Sequence, residues 1–346
     1  MNKSLVAHTS TATERLTKMI GESEAFQQAC CLLRRYAACN VPVLIEGDTG
    51  TGKELAAREI HYASARSLGP FVPVNCGALP ENLIESALFG HRRGAFTDAK
   101  SNEPGLVEYA RGGTLFLDEI DSLSPHAQAT LLRFLQNGEF RAVGERPLRI
   151  ADVRIVAASN LSLATAVEAG HFRRDLFYRL NPLYVCLPPL CEREEDVILL
   201  AKQLLRDAVG HLEIGPREWS AEALEALMCH HWPGNVRELE NVILRACMRS
   251  DRHIIGLAEL AQVDPAIWAR CVKSNAKESS PEEVKEGFAA SKQRAVQSFE
   301  RKYLIALMQR ADGNVSRAAQ LSGTERRQLG KMLKRHGIEH HCPSLN

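Results

Sequence analysis

A glycine-rich stretch has the residue types and the spacing of a phosphate-binding loop. It follows the apolar run 41–45, opens a helical pattern, and consists of Gly47, Asp48, Thr49, Gly50, Thr51, Gly52 and Lys53. Glycines let consecutive backbone N–H groups turn inward around phosphate oxygens, while the helix N-terminus and the lysine ammonium add positive charge. The alternative is a glycine-rich turn with a chance lysine, which the agreement of strand, loop and helix patterns disfavours. The sequence therefore predicts a site for the phosphates of a nucleoside triphosphate.

One residue departs from the usual pattern of such loops. Glu54 follows Lys53, at the position where a Ser or Thr hydroxyl normally ligands Mg²⁺. The Mg²⁺ that accompanies ATP is then expected to bind the Thr51 hydroxyl, or water that is held by Asp118.

Two carboxylates have the chemistry needed to bind Mg²⁺ and to activate water for attack on a phosphate. Asp118 and Glu119 come directly after the apolar run 115–117, and open α/β sheets bind ligands at the carboxyl ends of their strands. Asp118 would hold the Mg²⁺ shell, and Glu119 would orient and activate the water that attacks the γ-phosphate. Such a pair is weak evidence alone and strong evidence downstream of a phosphate loop.

Alternating patterns place both motifs at one edge of a sheet. The predicted strands are 41–45, 71–74, 114–117, 153–158 and 183–187, and the helices between and before them include 24–38, 54–65 and 125–137. Alternation of this kind indicates a parallel sheet that is covered on both faces. Only helices are predicted for residues 194–268, and the polar residues 274–287 are typical of a linker.

Composition limits the class of protein. A hydrophobic content of 45%, a charged content of 25% and a net charge of +1 match a soluble globular chain that does not bind polyanions over its whole surface. Residues 291–346, however, hold 11 Lys and Arg against 4 Asp and Glu, which suggests a nucleic-acid-binding end. The sequence has no signal-peptide pattern, no apolar run of membrane-spanning length and no CxxC pair among its ten cysteines. We therefore expect a cytoplasmic protein with no membrane partner.

The basic end has the pattern of a helix-turn-helix. Helical spacing covers 293–309, 314–321 and 325–335, and Gly323 supplies the turn before the last of these helices. The last helix carries four basic residues suited to phosphates and base edges, namely Arg326, Arg327, Lys331 and Lys334. The alternative is a plain three-helix bundle with a solvated basic face.

The most specific motif lies between the phosphate loop and the paired carboxylates. It consists of Gly94, Ala95, Phe96, Thr97, Asp98 and Ala99, an aromatic residue among small ones on an expected exposed turn. By itself this pattern is equally typical of a hydrophobic staple under a loop. Together with the phosphate loop and the paired carboxylates, however, residues 20–248 and the C-terminal segment resemble the bacterial enhancer-binding proteins. In that family a GAFTGA sequence forms the tip of a loop that grips sigma-54, so the resemblance implies that residues 94–99 contact the sigma-54 RNA polymerase holoenzyme.

The resemblance also implies roles for residues near the nucleotide. Asn75 is similar to the family's switch residue, which hydrogen-bonds the catalytic Glu119 and relays the nucleotide state to the loop. Asn160 is similar to the sensor of the γ-phosphate, and Arg237 is similar to the second sensor on the helical lid.

Two arginines imply an oligomer. Arg173 and Arg179 are similar to the family's arginine fingers. A neighbouring subunit supplies such guanidinium groups to stabilise charge on the transferring phosphate. A homo-oligomer, expected to be a hexameric ring, is then required for catalysis.

The implied fold is α/β, an AAA+ P-loop NTPase with a helical lid subdomain, followed by an all-α helix-turn-helix domain of the Fis type. The expected division is a polar tail 1–19, an ATPase subdomain 20–187, a lid 188–270, a linker 271–290 and a DNA-binding domain 291–346. The implied function is a sigma-54-dependent transcriptional activator that binds upstream, enhancer-like DNA. ATP hydrolysis would remodel the closed polymerase complex.

Other functions stay open at this point. One is a DNA-binding AAA+ regulator with weak ATPase activity that acts without sigma-54, and another is a protein-unfolding or DNA-remodelling motor. The few residues before Gly21 leave no room for a sensory domain, so we expect control by a regulatory protein acting in trans or by the level of expression. Cys191 stands where the family usually has Arg, which predicts the loss of an ion pair near the domain junction, although Arg193 is retained.

Asp98 stands where the family has glycine, and this difference generates a prediction. Glycine at a loop tip usually serves a left-handed backbone, which Asp tolerates at a cost of about 1 kcal/mol. We expect Asp98→Gly to preserve or improve promoter opening, and Thr97→Ala to abolish opening while ATP hydrolysis continues. Open-complex formation and ATPase rate, measured side by side, check both. An unsubstituted chain that hydrolyses ATP but binds sigma-54 only after Asp98→Gly would contradict the activator function.

Overall fold

The computed structural model describes residues 19–95, 99, 101–193, 196–265, 267, 304, 307, 308, 311, 314–324 and 326–335, with the side chains of 81, 82 and 335 excepted. The chain divides into two compact units, Met1–Cys271 and Val272–Asn346. The tail up to residue 18, the linker, the loop-tip residues 96–98 and most of the helix predicted at 293–309 lie outside the described residues. Within the described residues, no helix combines the length and the apolar character needed to cross a bilayer.

The strands of the first unit are β1 (Val43–Glu46), β2 (Phe71–Asn75), β3 (Gly90–His91), β4 (Glu103–Pro104), β5 (Thr114–Asp118), β6 (Glu139–Phe140), β7 (Arg149–Ile150), β8 (Arg154–Ser159), β9 (Leu183–Cys186), β10 (Glu218–Trp219) and β11 (Ile254–Ile255). Five of them form a parallel sheet in the order β2-β5-β8-β1-β9. The predicted parallel sheet is therefore confirmed.

The helices of the first unit are α1 (Glu24–Ala37), α2 (Lys53–Tyr62), α3 (Glu81–Phe89), α4 (Leu106–Tyr109), α5 (Pro125–Asn137), α6 (Leu163–Glu168), α7 (Arg174–Leu180), α8 (Asp196–Leu212), α9 (Ala221–Cys229), α10 (Asn235–Arg249) and α11 (Leu257–Val263). The first seven surround the sheet, and the last four form a separate helical core.

Apolar cores cover both faces of the sheet. Along β5, Leu115 and Leu117 pack into one core, whereas Phe116 packs into the other. All residues of β1 and β8 are buried, as expected of central strands in a parallel sheet. β2 lies at the edge and contains Pro73, which has no backbone N–H to donate and is tolerated there for that reason.

Three short pairings differ from the sequence-based expectation. β3 pairs with β4 and β6 with β7 as antiparallel two-residue ladders, and both are too short to show a strand period. The expectation of helices alone in residues 194–268 is wrong in one respect, because β10 pairs in parallel with β11. Two connections between lid helices run side by side there, and buried Ile255 anchors the pairing to the lid core.

The second unit has two described helices, α12 (Val315–Ser322) and α13 (Arg326–Arg335). Asn314 caps α12, since its Oδ1 accepts hydrogen bonds from the backbone of Ser316 and Arg317. Gly323 ends α12 in a left-handed conformation with φ 65°. The buried core includes Leu304, Leu307, Met308, Ala311, Ala318, Ala319, Leu329 and Leu333.

A buried ion pair joins the start of α1 to the start of the lid. Arg193 and Asp196 are 2% and 1% exposed, and Nε of Arg193 lies 3.0 Å from Oδ2 of Asp196. Asp196 also accepts hydrogen bonds from the backbone N–H groups of Glu22 and Ser23, and the Arg193 guanidinium lies 3.8 Å over the Phe26 ring. The junction thus keeps an ion pair through Arg193, although Cys191 replaces the arginine expected two residues earlier.

The buried pair predicts a large loss of stability when one charge is removed. Burial alone would raise the pKa of Asp196, but hydrogen bonds from Glu22, Ser23 and Arg193 outweigh it and hold the pKa below its usual value. Asp196→Asn should lower the free energy of unfolding by about 3–5 kcal/mol near neutral pH, because it leaves Arg193 buried and unpaired.

Urea denaturation followed by the fluorescence of buried Trp232 measures this loss. A folded-state pKa below the unfolded one means that the stabilisation is present above the unfolded pKa and is lost as the pH falls through the folded one. The difference between Asp196→Asn and the unsubstituted chain should therefore shrink in acid. Asp207→Asn, at an exposed position of the same helix, is the control, and an equal loss in both variants would refute the proposed importance of the pair.

Candidate active site

Lys53 lies at the centre of the phosphate loop. It is the first residue of α2 and is 7% exposed. Its Nζ donates hydrogen bonds to the backbone carbonyls of Gly47 at 2.7 Å and Asp48 at 3.0 Å, and to Oδ1 of Asn160 at 2.6 Å. The ammonium is thus held between the loop and the end of β8, as an ATP-binding lysine requires.

The loop backbone needs its glycines. Gly52 precedes α2 with φ 99°, and Gly50 has φ 82°, both in the left-handed region that favours glycine. A Cβ on Gly50 would also collide with the carbonyl oxygen of Gly234 in the lid. The close approach of lid to loop therefore depends on glycine at position 50.

Oxygen ligands suited to Mg²⁺ are present at this edge. The Thr51 hydroxyl donates its proton to the Asp48 carbonyl at 2.8 Å, which leaves its lone pairs for a cation. Asp118 contributes a half-buried carboxylate at the end of β5, and hydroxyl and carboxylate oxygens are ligands that Mg²⁺ accepts. Glu54 is different, since its carboxylate is half-exposed and pairs with Arg58 at 2.7 Å, four residues along α2. Its carboxylate is therefore engaged within α2, although its charge still acts on Asp118.

The two carboxylates leave the sheet by a strained turn. Oδ1 of Asp118 accepts a hydrogen bond from the backbone N–H of Glu119 at 3.0 Å. Glu119 itself has φ 53°, a conformation that is costly for a non-glycine residue and that occurs mainly at functional sites. A Cβ on Gly77 would collide with Oε2 of Glu119. The Glu119 carboxylate therefore lies against the bare backbone at Gly77.

Burial shifts the two charges of the site toward their neutral forms. Burial raises the pKa of Asp118, and the hydrogen bond from Glu119 and the charge of Lys53 partly oppose it. Burial likewise lowers the pKa of Lys53, against the attraction of Asp118 and nearby acids. Bound triphosphate would favour the charged form of Lys53, and Mg²⁺ would favour the charged form of Asp118.

Asn75 lies at the end of β2, opposite Asp118 in the ladder. Its Oδ1 accepts a hydrogen bond from the backbone N–H of Ala78 at 2.9 Å. The hydrogen bond expected between Asn75 and Glu119 is not among those of the described residues. Ala78, three residues along the chain, thus engages the amide oxygen of Asn75, and Asn75 and Glu119 both lie beside Gly77.

The end of β8 is held by an acid that the sequence patterns did not reveal. Oδ1 of Asp121 accepts hydrogen bonds from the Ser159 hydroxyl at 2.9 Å and from the backbone N–H of Asn160 at 3.4 Å. Asp121 follows Glu119 closely along the chain, so it links the exit of β5 to the exit of β8. The Asp-x-x-Asp spacing from Asp118 was its only signal in the sequence.

The lid contacts the phosphate loop through the start of α10. The side chain of Asn235 donates to the carbonyl of Thr49 at 3.0 Å, and the backbone N–H of Val236 donates to the carbonyl of Gly50 at 3.1 Å. Arg237 is exposed, and its Cβ lies 3.1 Å from the place a Cβ on Gly50 would take. The structure therefore brings Arg237 to the loop, together with Asn235, which the sequence analysis had not singled out.

Arg173 and Arg179 do not contact the phosphate-loop residues of their own chain in the described structure. Arg173 is half-exposed and pairs with Asp175 at 2.7 Å. Arg179 donates to the carbonyls of Leu135 and Gln136 at the end of α5, both at 3.1 Å. Both side chains are therefore available at the surface of the unit.

The loop of residues 94–99 is described only at its base. The backbone N–H of Gly94 donates to the carbonyl of Ala99 at 2.9 Å, and Ala99 is buried. Gly94 has φ 82° with open space around it, and Ala95 is partly exposed. Phe96, Thr97 and Asp98 lie outside the described residues.

A chain of charges runs from the base of this loop to the β6–β7 ladder. Glu145 pairs with Arg92 and, at 3.0 Å, with Arg149, which in turn lies 3.2 Å from Glu108. The hydrogen bond from Arg92 is the main cause that lowers the pKa of Glu145, with Arg149 contributing further. The acid therefore stays ionised between the two arginines.

The basic residues of the second unit share one helix. Arg326, Arg327, Lys331 and Lys334 are all exposed on α13, whereas Leu329 and Leu333 face the core. A Cβ on Gly330 would meet no atom within 4 Å. Packing inside the described part of the unit therefore does not require glycine at position 330.

Comparison with protein families divides the chain into three matched segments. Residues 19–186 match the sigma-54 interaction domain, residues 191–266 match the AAA+ ATPase lid domain, and residues 295–336 match the Fis family of bacterial regulatory proteins.

Individual relatives cover nearly the whole chain. The DNA-binding transcriptional regulator NtrC of Azospirillum brasilense is 41% identical over 347 residues, which are 95% of this chain and 71% of the relative. The nitrogen fixation protein AnfA of Azotobacter vinelandii is 40% identical over 325 residues, 94% of this chain but only 58% of the relative. The chain thus spans little more than half the length of some relatives.

A solved structure agrees with the fold. The crystal structure of NtrX from Brucella abortus in complex with ATP matches with a TM-score of 0.67 and 32% identity, over 96% of this chain and 72% of that one. The phosphate loop, the paired carboxylates, the lid and the basic helix occur here in the order of the three matched segments. The chain therefore belongs to the bacterial enhancer-binding proteins, AAA+ ATPases that combine a sigma-54 interaction domain with a lid and a Fis-type helix-turn-helix.

Proposed function

We propose that this protein is a sigma-54-dependent transcriptional activator that binds upstream, enhancer-like DNA and remodels the closed polymerase complex by hydrolysing ATP in an oligomeric ring. The observation that carries the proposal is the meeting of Lys53, Asn160 and Asp118 at one edge of the sheet, beneath a lid held to the phosphate loop. A chain that used this fold only to bind DNA would not need both a complete phosphate loop and the carboxylates Asp118 and Glu119.

Hydrolysis would proceed with the residues of one subunit in distinct roles. The loop N–H groups and Lys53 bind the β- and γ-phosphates, and Asn160 contacts the γ-phosphate. Thr51 and Asp118 would hold Mg²⁺, which would supply neutralisation of the charge on the phosphate oxygens. Glu119 orients the attacking water and accepts its proton. Arg237 would sense the nucleotide from the lid.

The remaining charge on the transferring phosphate would be stabilised by a second subunit. Arg173 and Arg179 are exposed and contact no phosphate-loop residue of their own chain in the described structure. A hexameric ring would place them at the neighbour's γ-phosphate, where arginine is worth several orders of magnitude in rate.

The proposed contacts with sigma-54 and with DNA lie outside the nucleotide site. Residues 94–99 would contact sigma-54, and a change at the nucleotide would reach them from Asn75 and Glu119. The helix α13 would enter DNA with its four basic residues, within a domain 291–346 that follows a linker 271–290. A regulatory protein acting in trans is a further proposed partner.

A pair of substitutions tests the nucleotide site. Lys53→Ala should abolish ATP binding, since it removes the ammonium that faces the phosphates. Glu119→Gln should bind ATP with unchanged affinity and lose at least about a hundredfold in turnover, since it removes only the base. Nucleotide binding, ATPase rate and open-complex formation are measured on each variant. Normal turnover by Glu119→Gln would overturn the assignment of the base.

Mixing experiments test the shared site. Arg179→Ala should keep ATP binding and lose turnover, because the finger that it lacks serves a neighbour. Mixing it with Lys53→Ala should restore part of the activity, since an intact nucleotide site then meets an intact finger at some interfaces. Lack of recovery in rings shown by native mass spectrometry to be mixed would contradict the trans arrangement.

A further inference from the structure

One buried amide connects the exit of β5 with the start of α7. Gln128, in α5, is 1% exposed. Its Nε2 donates to the carbonyl of Leu123 at 2.8 Å and to the carbonyl of His171 at 3.2 Å. Its Oε1 accepts a hydrogen bond from the backbone N–H of Arg173 at 2.9 Å. Both ends of the amide are therefore hydrogen-bonded. They link the segment after β5 to the segment that begins α7, and the two segments have different proposed functions.

One of the two segments, bonded through Leu123, carries the catalytic Glu119. Leu123 ends the single 3₁₀ turn Ile120–Ser122, which begins directly after Glu119. Asp121, which holds Asn160, lies inside the same turn. A shift of Glu119 or Asp121 therefore reaches the Leu123 carbonyl within a few bonds.

The other segment, bonded through His171 and Arg173, carries a finger. Arg173 occupies the cap position of α7, and its side chain makes no capping hydrogen bond. The bond from its N–H to Gln128 fixes the backbone at the base of the guanidinium on the side before the helix, while the Arg173 carbonyl accepts the helical bond from the N–H of Phe177 at 3.1 Å. Its head group, in contrast, is half-exposed and is paired only with Asp175 among the described residues.

We infer that Gln128 is a positioning residue. It fixes the position of Arg173, which serves the neighbouring subunit's site. That position follows the conformation of residues 119–123, the acid turn, in the subunit to which Gln128 belongs. This inference rests on the proposed trans role of Arg173. Gln128 touches neither nucleotide nor water in this scheme. It acts because one rigid, fully bonded amide ties the two segments together, and a buried amide loses all of these bonds at once when it is replaced.

A positioning role and a merely structural role of Gln128 place the damage in different subunits. If Gln128 served only the fold, or only its own nucleotide site, its replacement would damage the site of the same subunit. If it positions Arg173, the replacement leaves that site intact and damages the neighbour's.

The experiment uses the full-length chain with Gln128→Met, which keeps the side-chain length and removes all three hydrogen bonds. Gln128→Met should bind ATP within about twofold of the unsubstituted chain and lose turnover by roughly tenfold to a hundredfold, as expected for a misplaced catalytic group. Gln28→Met, at an exposed position of α1, is the matched control and should keep full activity.

Mixing with Lys53→Ala assigns the defect to one side of the interface. Lys53→Ala subunits have a dead site but keep Glu119, Gln128 and the finger unsubstituted, so they should rescue Gln128→Met. In randomly mixed rings roughly a quarter of the interfaces then join an intact site to an intact finger. The same mixture with Arg173→Ala in place of Gln128→Met tests the trans arrangement itself.

Each result decides the matter. Rescue of both variants supports the inference. Rescue of Arg173→Ala without rescue of Gln128→Met overturns the inference and leaves the proposed function standing. Rescue of neither overturns the trans arrangement and the inference with it, and full activity of Gln128→Met alone overturns the inference.

A second variant guards against misfolding of the first. Gln128→Glu keeps the acceptor for Arg173 but turns an oxygen toward the carbonyls of Leu123 and His171. Protonation of that carboxyl restores one donor, and the facing carbonyls raise its pKa. Its ATPase rate relative to the unsubstituted chain should therefore rise as the pH is lowered from about 8 to about 6. A constant ratio over this range would contradict the positioning role.

Discussion

The register of the parallel strands is the constraint on which the site depends. Asn75 lies opposite Asp118 in one ladder, and Glu46, directly before the phosphate loop, lies opposite Ser159 in another. Because parallel strands end at a common edge, residues from distant parts of the chain arrive there together. A slip of one residue would move each of these side chains to the opposite face of the sheet. The apolar cores on both faces therefore also fix the chemistry at the edge.

Sequence patterns predicted those parts of the site that are contiguous in the chain. The phosphate loop and the two carboxylates could be predicted because glycine spacing and an adjacent apolar strand indicate them. Asp121 and Asn235 could not, because their partners are remote. The side chain of Asn235 bonds to a carbonyl 186 residues away, and that of Ser159 bonds to an acid 38 residues away. The hydrophobic periodicity of the sequence does not indicate which polar group such a side chain will contact.

The same limit applies to the fold. The central strands and long helices follow from burial patterns, whereas the ladder of β10 and β11 is two residues long and depends on how the lid helices pack. Resemblance to a family supplied what local patterns could not, including Asn160, which the structure places 2.6 Å from the ammonium of Lys53. It also suggested the bond between Asn75 and Glu119, which the described hydrogen bonds do not contain.

Asn235 has a consequence for the timescale on which the lid moves. Its Nδ2 donates to Thr49 in the phosphate loop, while its Oδ1 accepts the backbone N–H of Leu190 at 2.7 Å, where the chain enters the lid. The residue is buried and its backbone is left-handed, with φ 52°. Rotamer changes of surface groups take picoseconds to nanoseconds, but breaking these bonds requires the lid to move as a body. Collective motion of that kind takes microseconds to milliseconds, so a lid held in this way would not follow every fluctuation at the phosphates and would respond only to nucleotide states that last.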